Sequence, residues 1–210
     1  MLSNLGMMLG TAALSIFGGA TPPDFQEESS MLLNLNDFMY EVMAVPTGSE
    51  FLNIMHGQIK ALSPFAKEIS EQFAENFAQI ESDYLQYKTA PTASQAENLW
   101  KSLQALTVNA DILKQYNGSR AMLQALKNFQ QEMSIDPTNF TNESLWQLVG
   151  QVDFMSEFIM DIDDDIKDQF EKDFDLFSDY FNNFLNLTSE LNQKQVLESV
   201  EKILLDLPRT

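Results

Sequence analysis

The chain has no cysteine and a single histidine, His56. Without thiols there is no disulfide framework, no thiolate nucleophile and no cysteine-ligated zinc. With one imidazole, a di-iron bundle built on two Glu-x-x-His motifs cannot be assembled. A Ser–His–Asp triad would have to use His56 itself. Basic residues are scarce too: 12 Lys and Arg stand against 31 Asp and Glu, a net charge of −19. Nucleic-acid backbones need cationic contacts, so no nucleic-acid partner is expected. Docking on anionic membrane is disfavoured for the same reason. The sequence also lacks G-x-S-x-G, the P-loop and G-x-G-x-x-G. No segment alternates apolar and polar residues with a period of two, so no strand is expected.

What the chain has is bulk: 16 Phe and 11 Met among 210 residues. Many of these recur every three or four positions, which places them on one face of a helix. The strongest run is Met155, Ile159, Ile162, Ile166, Phe170, Phe174, Phe177, Phe181 and Phe184. Glu157, Asp164, Asp168, Glu171, Asp175 and Asp179 fall on the opposite face as a solvated coat. An unbroken helix over 144–188 would be roughly 65 Å long at 1.5 Å per residue. A compact domain of this size is only about 35 Å across. A break is therefore expected, and the Asp163–Asp165 triplet is the place for it, because adjacent like charges repel and Asp is a poor helix former.

Other stripes predict further helices. Leu32, Leu35, Phe38, Met39 and Val42 mark one over 25–44. Ser49 reads as the N-cap of a second, with Leu52, Met55, Ile59 and Leu62 inward. Ser63-Pro64 reads as the start of a third, carrying Ile69, Phe73, Phe77, Ile80, Tyr84 and Tyr87. Ser94 and Glu97 form a capping box for a fourth with Leu99, Leu103, Leu106, Ala110 and Leu113, and Asn117-Gly118 reads as its stop. A fifth covers 120–134, closed by Asp136-Pro137. A last one covers 191–206 with Val196, Leu197, Val200, Ile203 and Leu204. The expected fold is all-α: a helical bundle of five to seven helices, one of them long or kinked around 142–188, in a single domain over 24–206.

Residues 1–20 carry no side-chain charge and end in Gly18-Gly19-Ala20 before Thr21-Pro22-Pro23. This pattern predicts a secretory signal peptide, or otherwise an apolar N-terminal segment. Four Asn-x-Ser/Thr triplets begin at Asn117, Asn139, Asn142 and Asn186, where chance would give about two. Three sit at predicted loops or helix ends, where glycans must sit. Together these features predict a secreted, glycosylated, acidic bundle.

No residue set points to catalysis, a cofactor or a bound metal. His56 flanks an apolar stripe, where a lone histidine is ordinarily packed rather than catalytic. An EF-hand loop beginning at Asp161 would need Gly at the position of Ile166 and Glu at that of Lys172. Asp163 and Asp173 stand at the edges of the long apolar stripe, where each must turn to water or meet a cation from a neighbouring helix. The functional expectation is a non-enzymatic protein binding a partner protein or an apolar small molecule between Phe- and Met-lined helices. Two alternatives are a pore-forming or membrane-active protein, which needs residues 1–20 retained, and a structural subunit of a larger assembly.

Overall fold

The computed structural model describes residues 48–105 and 117–207. The predicted helix over 25–44, the segment 1–20 and the stripe residues Leu106, Ala110 and Leu113 lie outside them, and the side chain of Leu103 is likewise not described. Among the described residues the fold is all-α, with seven α-helices: α1 Ser49–Ile69, α2 Glu71–Thr89, α3 Ala93–Ala105, α4 Gly118–Met133, α5 Asn142–Glu157, α6 Asp164–Asn186 and α7 Glu190–Asp206. Two short 3₁₀ turns, Pro137–Asn139 and Ile159–Asp161, flank α5. The sequence expectation of an all-α bundle of five to seven helices holds.

α1 is the central rod. It packs most extensively on α5, and also on α2 and α4; α2 carries α3 on its far side, and α7 bridges α6 and α4. Leu52, Met55, Ile59 and Leu62 are all at most 5% exposed, as their spacing predicts. One continuous apolar cluster runs through the bundle. On α6 the rings of Phe170, Phe174, Phe177, Phe181 and Phe184 all point into it. Phe129 of α4 meets Phe177 and Phe181 edge-on, with ring centroids 5.3 and 5.6 Å apart. Rings in this geometry satisfy their quadrupoles as well as their area.

The long acidic stretch breaks at 158–163, slightly earlier than the expected Asp163–Asp165 triplet, of which only Asp163 lies in the break. α5 ends at Glu157, Ile159–Asp161 forms a 3₁₀ turn, and Ile162 is extended before α6 begins at Asp164. Asp164 and Asp165 occupy the first turn of α6, where negative charge meets the positive end of the helix dipole. The bend lets Phe158 stack on Phe65 of α1 at 4.0 Å. Leu176, on the flank of this stripe, is 40% exposed.

Three boundaries differ from the sequence expectation. Ser63-Pro64 does not start a helix: α1 runs through Pro64 to Ile69. An interior proline costs about 3 kcal/mol through its missing N–H and its clash with the preceding turn. Ile59, Leu62, Phe65, Ala66 and Ile69 are each at most 4% exposed along the same face, and their burial outweighs that cost. The break comes at Ser70, whose hydroxyl accepts from the Phe73 N–H at 3.0 Å and caps α2. Gly48, not Ser49, occupies the N-cap of α1, with no side-chain cap. The Ser94–Glu97 box is displaced by Thr92, whose hydroxyl accepts from the Gln95 N–H at 3.3 Å. Asn117 opens α4, its side chain accepting from the Arg120 N–H at 2.8 Å; whether it also closes the helix expected before it lies outside the described residues. Asn is among the best N-cap residues.

Candidate functional site: the polar seam around His56

The tightest crossing in the bundle is between α1 and α5, and glycine makes it possible. A Cβ at Gly57 would lie 2.0 Å from the carbonyl oxygen of Gln147, and one at Gly150 would lie 2.0 Å from that of Ile54. Backbone meets backbone on both sides. The close approach draws the side chains flanking the crossing into one seam.

His56 and Lys60 stand one turn apart on α1, and Glu143, Gln147 and Gln151 stand one turn apart on α5. Lys88 reaches in from α2 and Glu132 from α4. Lys88 Nζ is 2.6 Å from Glu143 Oε1 and 3.4 Å from His56 Nδ1. Lys60 Nζ donates to Glu132 Oε2 at 2.8 Å and to Gln147 Oε1 at 3.2 Å. Gln147 Nε2 donates to Glu143 Oε1 at 3.3 Å, and Gln151 Nε2 to Glu132 Oε2 at 3.0 Å. Four helices thus share one hydrogen-bonded chain with two lysines, two glutamates and one imidazole.

Burial, then the charges of Lys88 and Lys60, hold His56 down to about 4, against a weaker opposing pull from Glu143. The Lys88 contact holds the Glu143 carboxyl below its usual range. At neutral pH the imidazole is uncharged and its Nδ1 lone pair faces an ammonium. A general base needs a free lone pair and a pKa near working pH. With Nδ1 turned to Lys88 and its pKa lowered, His56 in this closed arrangement is a weak general base. Beneath it, the Tyr84 hydroxyl donates to the Leu52 carbonyl at 2.7 Å, and burial raises its pKa well above the ordinary value.

On the other flank, Asn53 and Gln58 are 8% and 6% exposed, and their side-chain oxygens have no hydrogen-bond partner. The Gln58 amide is hydrogen-bonded to Asp153, an exposed residue. Among the described residues, no group of three or more His, Asp or Glu is placed to hold a metal ion, and no helix is long and apolar enough to cross a membrane. Asp163 is exposed at the head of α6, where its N–H donates to Ser119 Oγ at 3.0 Å. Asp173 does meet a cation from a neighbouring helix. It is 5% exposed, and Lys202 of α7 donates to it at 2.6 Å. Burial raises its carboxyl pKa, but Lys202 and Gln169 outweigh that and leave it below the ordinary range.

The four sequon asparagines are all exposed. Asn139 ends a 3₁₀ turn, Asn142 begins α5 and Asn186 ends α6. These three share one end of the bundle, pinned by the rings of Phe140 and Phe184 at 5.2 Å. Asn117 stands at the other end of α4, where Gly118 is pressed against Asp161. Ser119, the third residue of that triplet, is fully buried.

Sequence reasoning picked out His56 but not its surroundings. Lys60, Lys88, Glu132 and Glu143 were unremarked surface charges, and Gly57 and Gly150 were unassigned. The one available signal was a glycine inside each of two otherwise regular helical patterns, which marks a close approach. Compared with known proteins, the chain matches no family model, no curated protein and no solved structure.

Proposed function

We propose that the chain is a secreted, N-glycosylated, non-enzymatic helical bundle that binds a partner protein. The exposure of Asn117, Asn139, Asn142 and Asn186 at helix termini carries this reading. Glycans need exposed asparagines, and all four meet that condition, although Ser119 of the Asn117 triplet is buried. The uncharged stretch 1–20 supplies the route to the secretory pathway. The packing favours a protein partner over an apolar ligand. The phenylalanine faces that would line a lipid cavity stack on one another instead, Phe65 on Phe158 and Phe129 on Phe177 and Phe181. Large apolar side chains meanwhile remain outside, with Met160, Leu187, Leu191 and Leu205 each at least 62% exposed.

The test is mass spectrometry of the full chain secreted from a eukaryotic host, before and after enzymatic removal of N-glycans. The expected result is a mature N-terminus at residue 21 and a mass that falls on deglycosylation. An intact 1–20 segment with unmodified asparagines overturns the reading.

A further inference from the structure

An ammonium only donates hydrogen bonds, so at the 3.4 Å contact between Lys88 Nζ and His56 Nδ1 the imidazole must accept, and its one proton sits on Nε2. A proton on Nδ1 would set donor against donor. It would also place three cations, His56, Lys60 and Lys88, in a seam whose anions are Glu132 and Glu143. As it stands, the seam is balanced, with two ammonium groups paired to two carboxylates at 2.8 and 2.6 Å. The balance is most open to acid at Glu143, whose side chain is 59% exposed, while its partner Lys88 is only 16% exposed. Every element packed here bears on His56: Lys60 from its own helix, Lys88 and the Tyr84 ring from α2, Glu132 from α4 through Lys60, and Glu143 from α5. The Tyr84 hydroxyl is committed to Leu52 and cannot take up a displaced proton.

We propose that this seam is an acid-operated clasp: protonation of His56 and Glu143 breaks the contacts of Lys88, releases α2 from α1 and α5, and uncovers the apolar surface of Leu52, Tyr84 and Tyr87. The free imidazole value is 6.5 and the folded one about 4. The unfolded or opened form therefore binds the proton first, and stability conferred by the closed seam is present above 6.5 and lost as pH falls toward 4. Glu143, whose pKa is lowered, acts in the same sense at the acid end. The clasp is shut at neutral pH and opens in acid.

His56 is the only histidine, so its ring proton signal in NMR is unambiguous. That signal is followed from pH 7.5 to 3.5 on the full chain, together with amide hydrogen exchange corrected for intrinsic rates. The expected imidazole midpoint lies near 4. Residues 80–89 should lose protection by about tenfold relative to 120–133 on the way down, as a locally opening unit does. His56→Gln should remove that loss between pH 6.5 and 4.5. Lys88→Met should move the imidazole midpoint up toward 6.5. Should the His56 variant fail to fold, the wild-type titration and the Lys88 variant still decide. A midpoint near 6.5 with unchanged exchange, simultaneous loss over both segments, or identical loss in His56→Gln overturns the proposal.

Discussion

Gly57 and Gly150 hold α1 and α5 in backbone contact, each occupying the only space in which the other helix's carbonyl can lie. Everything in the polar seam follows from this. With two ordinary side chains at the crossing the rods would separate, and the residues now 2.6 to 3.4 Å apart would each face water.

Gly57→Ala and Gly150→Ala should therefore destabilise the protein. Alanine favours a helix by about 1 kcal/mol over glycine. Overpacking against rigid backbone costs about 1–3 kcal/mol, and a contact this close lies at the upper end or beyond. Urea denaturation measures the difference. Equal or higher stability in both variants would show that the helices do not approach this closely.

Phe129 is the hub of the aromatic cluster, fully buried and in contact with two rings of α6. Phe129→Ala should cost about 3–5 kcal/mol. A double-mutant cycle with Phe181→Leu should return a coupling of about 0.5–1.5 kcal/mol. Leu205, which is 62% exposed, serves as the control: Leu205→Ser should stay within about 0.5 kcal/mol of wild type. Similar costs for the Phe129 and Leu205 variants would mean that α4 does not pack on α6.

Stability should fall with acid in two stages. The first, between pH 6.5 and about 4, belongs to His56 and amounts to at most about 3 kcal/mol from the difference between its free and folded values. The second is shared by Glu143, whose carboxyl pKa the Lys88 contact lowers, and by Asp173. The Asp173 carboxyl pKa is lowered in the fold, so its contribution is present above the ordinary value of 3.8 and lost below it. Asp153 works weakly the other way: desolvation raises its pKa against the Gln58 hydrogen bond, but the residue is exposed, so acid relieves it little. Thermal melts at half-unit pH steps read the profile. Asp173→Asn should shrink the lower stage and leave the upper one unchanged; a smaller upper stage would break the assignment.

If the stacked rings fill the interior, a fluorescent fatty acid should show no saturable binding to the folded chain at micromolar protein. The groove lined by Leu123, Lys127, Gln130, Glu201, Leu204 and Leu205, about 390 Å³, is open and half polar. Stoichiometric binding that Leu204→Ala does not weaken would point to an interior cavity. It would also return the apolar-ligand reading to first place.

Much of the fold was legible because burial follows period. Phe170, Phe174, Phe177, Phe181 and Phe184 had to face inward once the segment was helical, and they do. The acid triplet pointed close to the break between α5 and α6 because Asp164 and Asp165 suit the first turn of a helix better than its interior. Helix ends were legible only where no stronger local or tertiary term competed. Pro64 was misread because the burial of Phe65, Ala66 and Ile69 lies outside the dipeptide that signals a helix start. The sequons could be read as motifs, while their exposure could not.

By itself, then, the sequence determined the all-α class, the inward faces and the acidic coat, since each depends on spacing along one helix. The tertiary structure alone decided that His56 meets Lys88, 32 positions away, and that Lys88 meets Glu143, 55 positions away. Which helices cross, and how closely, is set by shape fit between whole faces. No local pattern encodes that sum, and two glycines without side chains were its deciding terms.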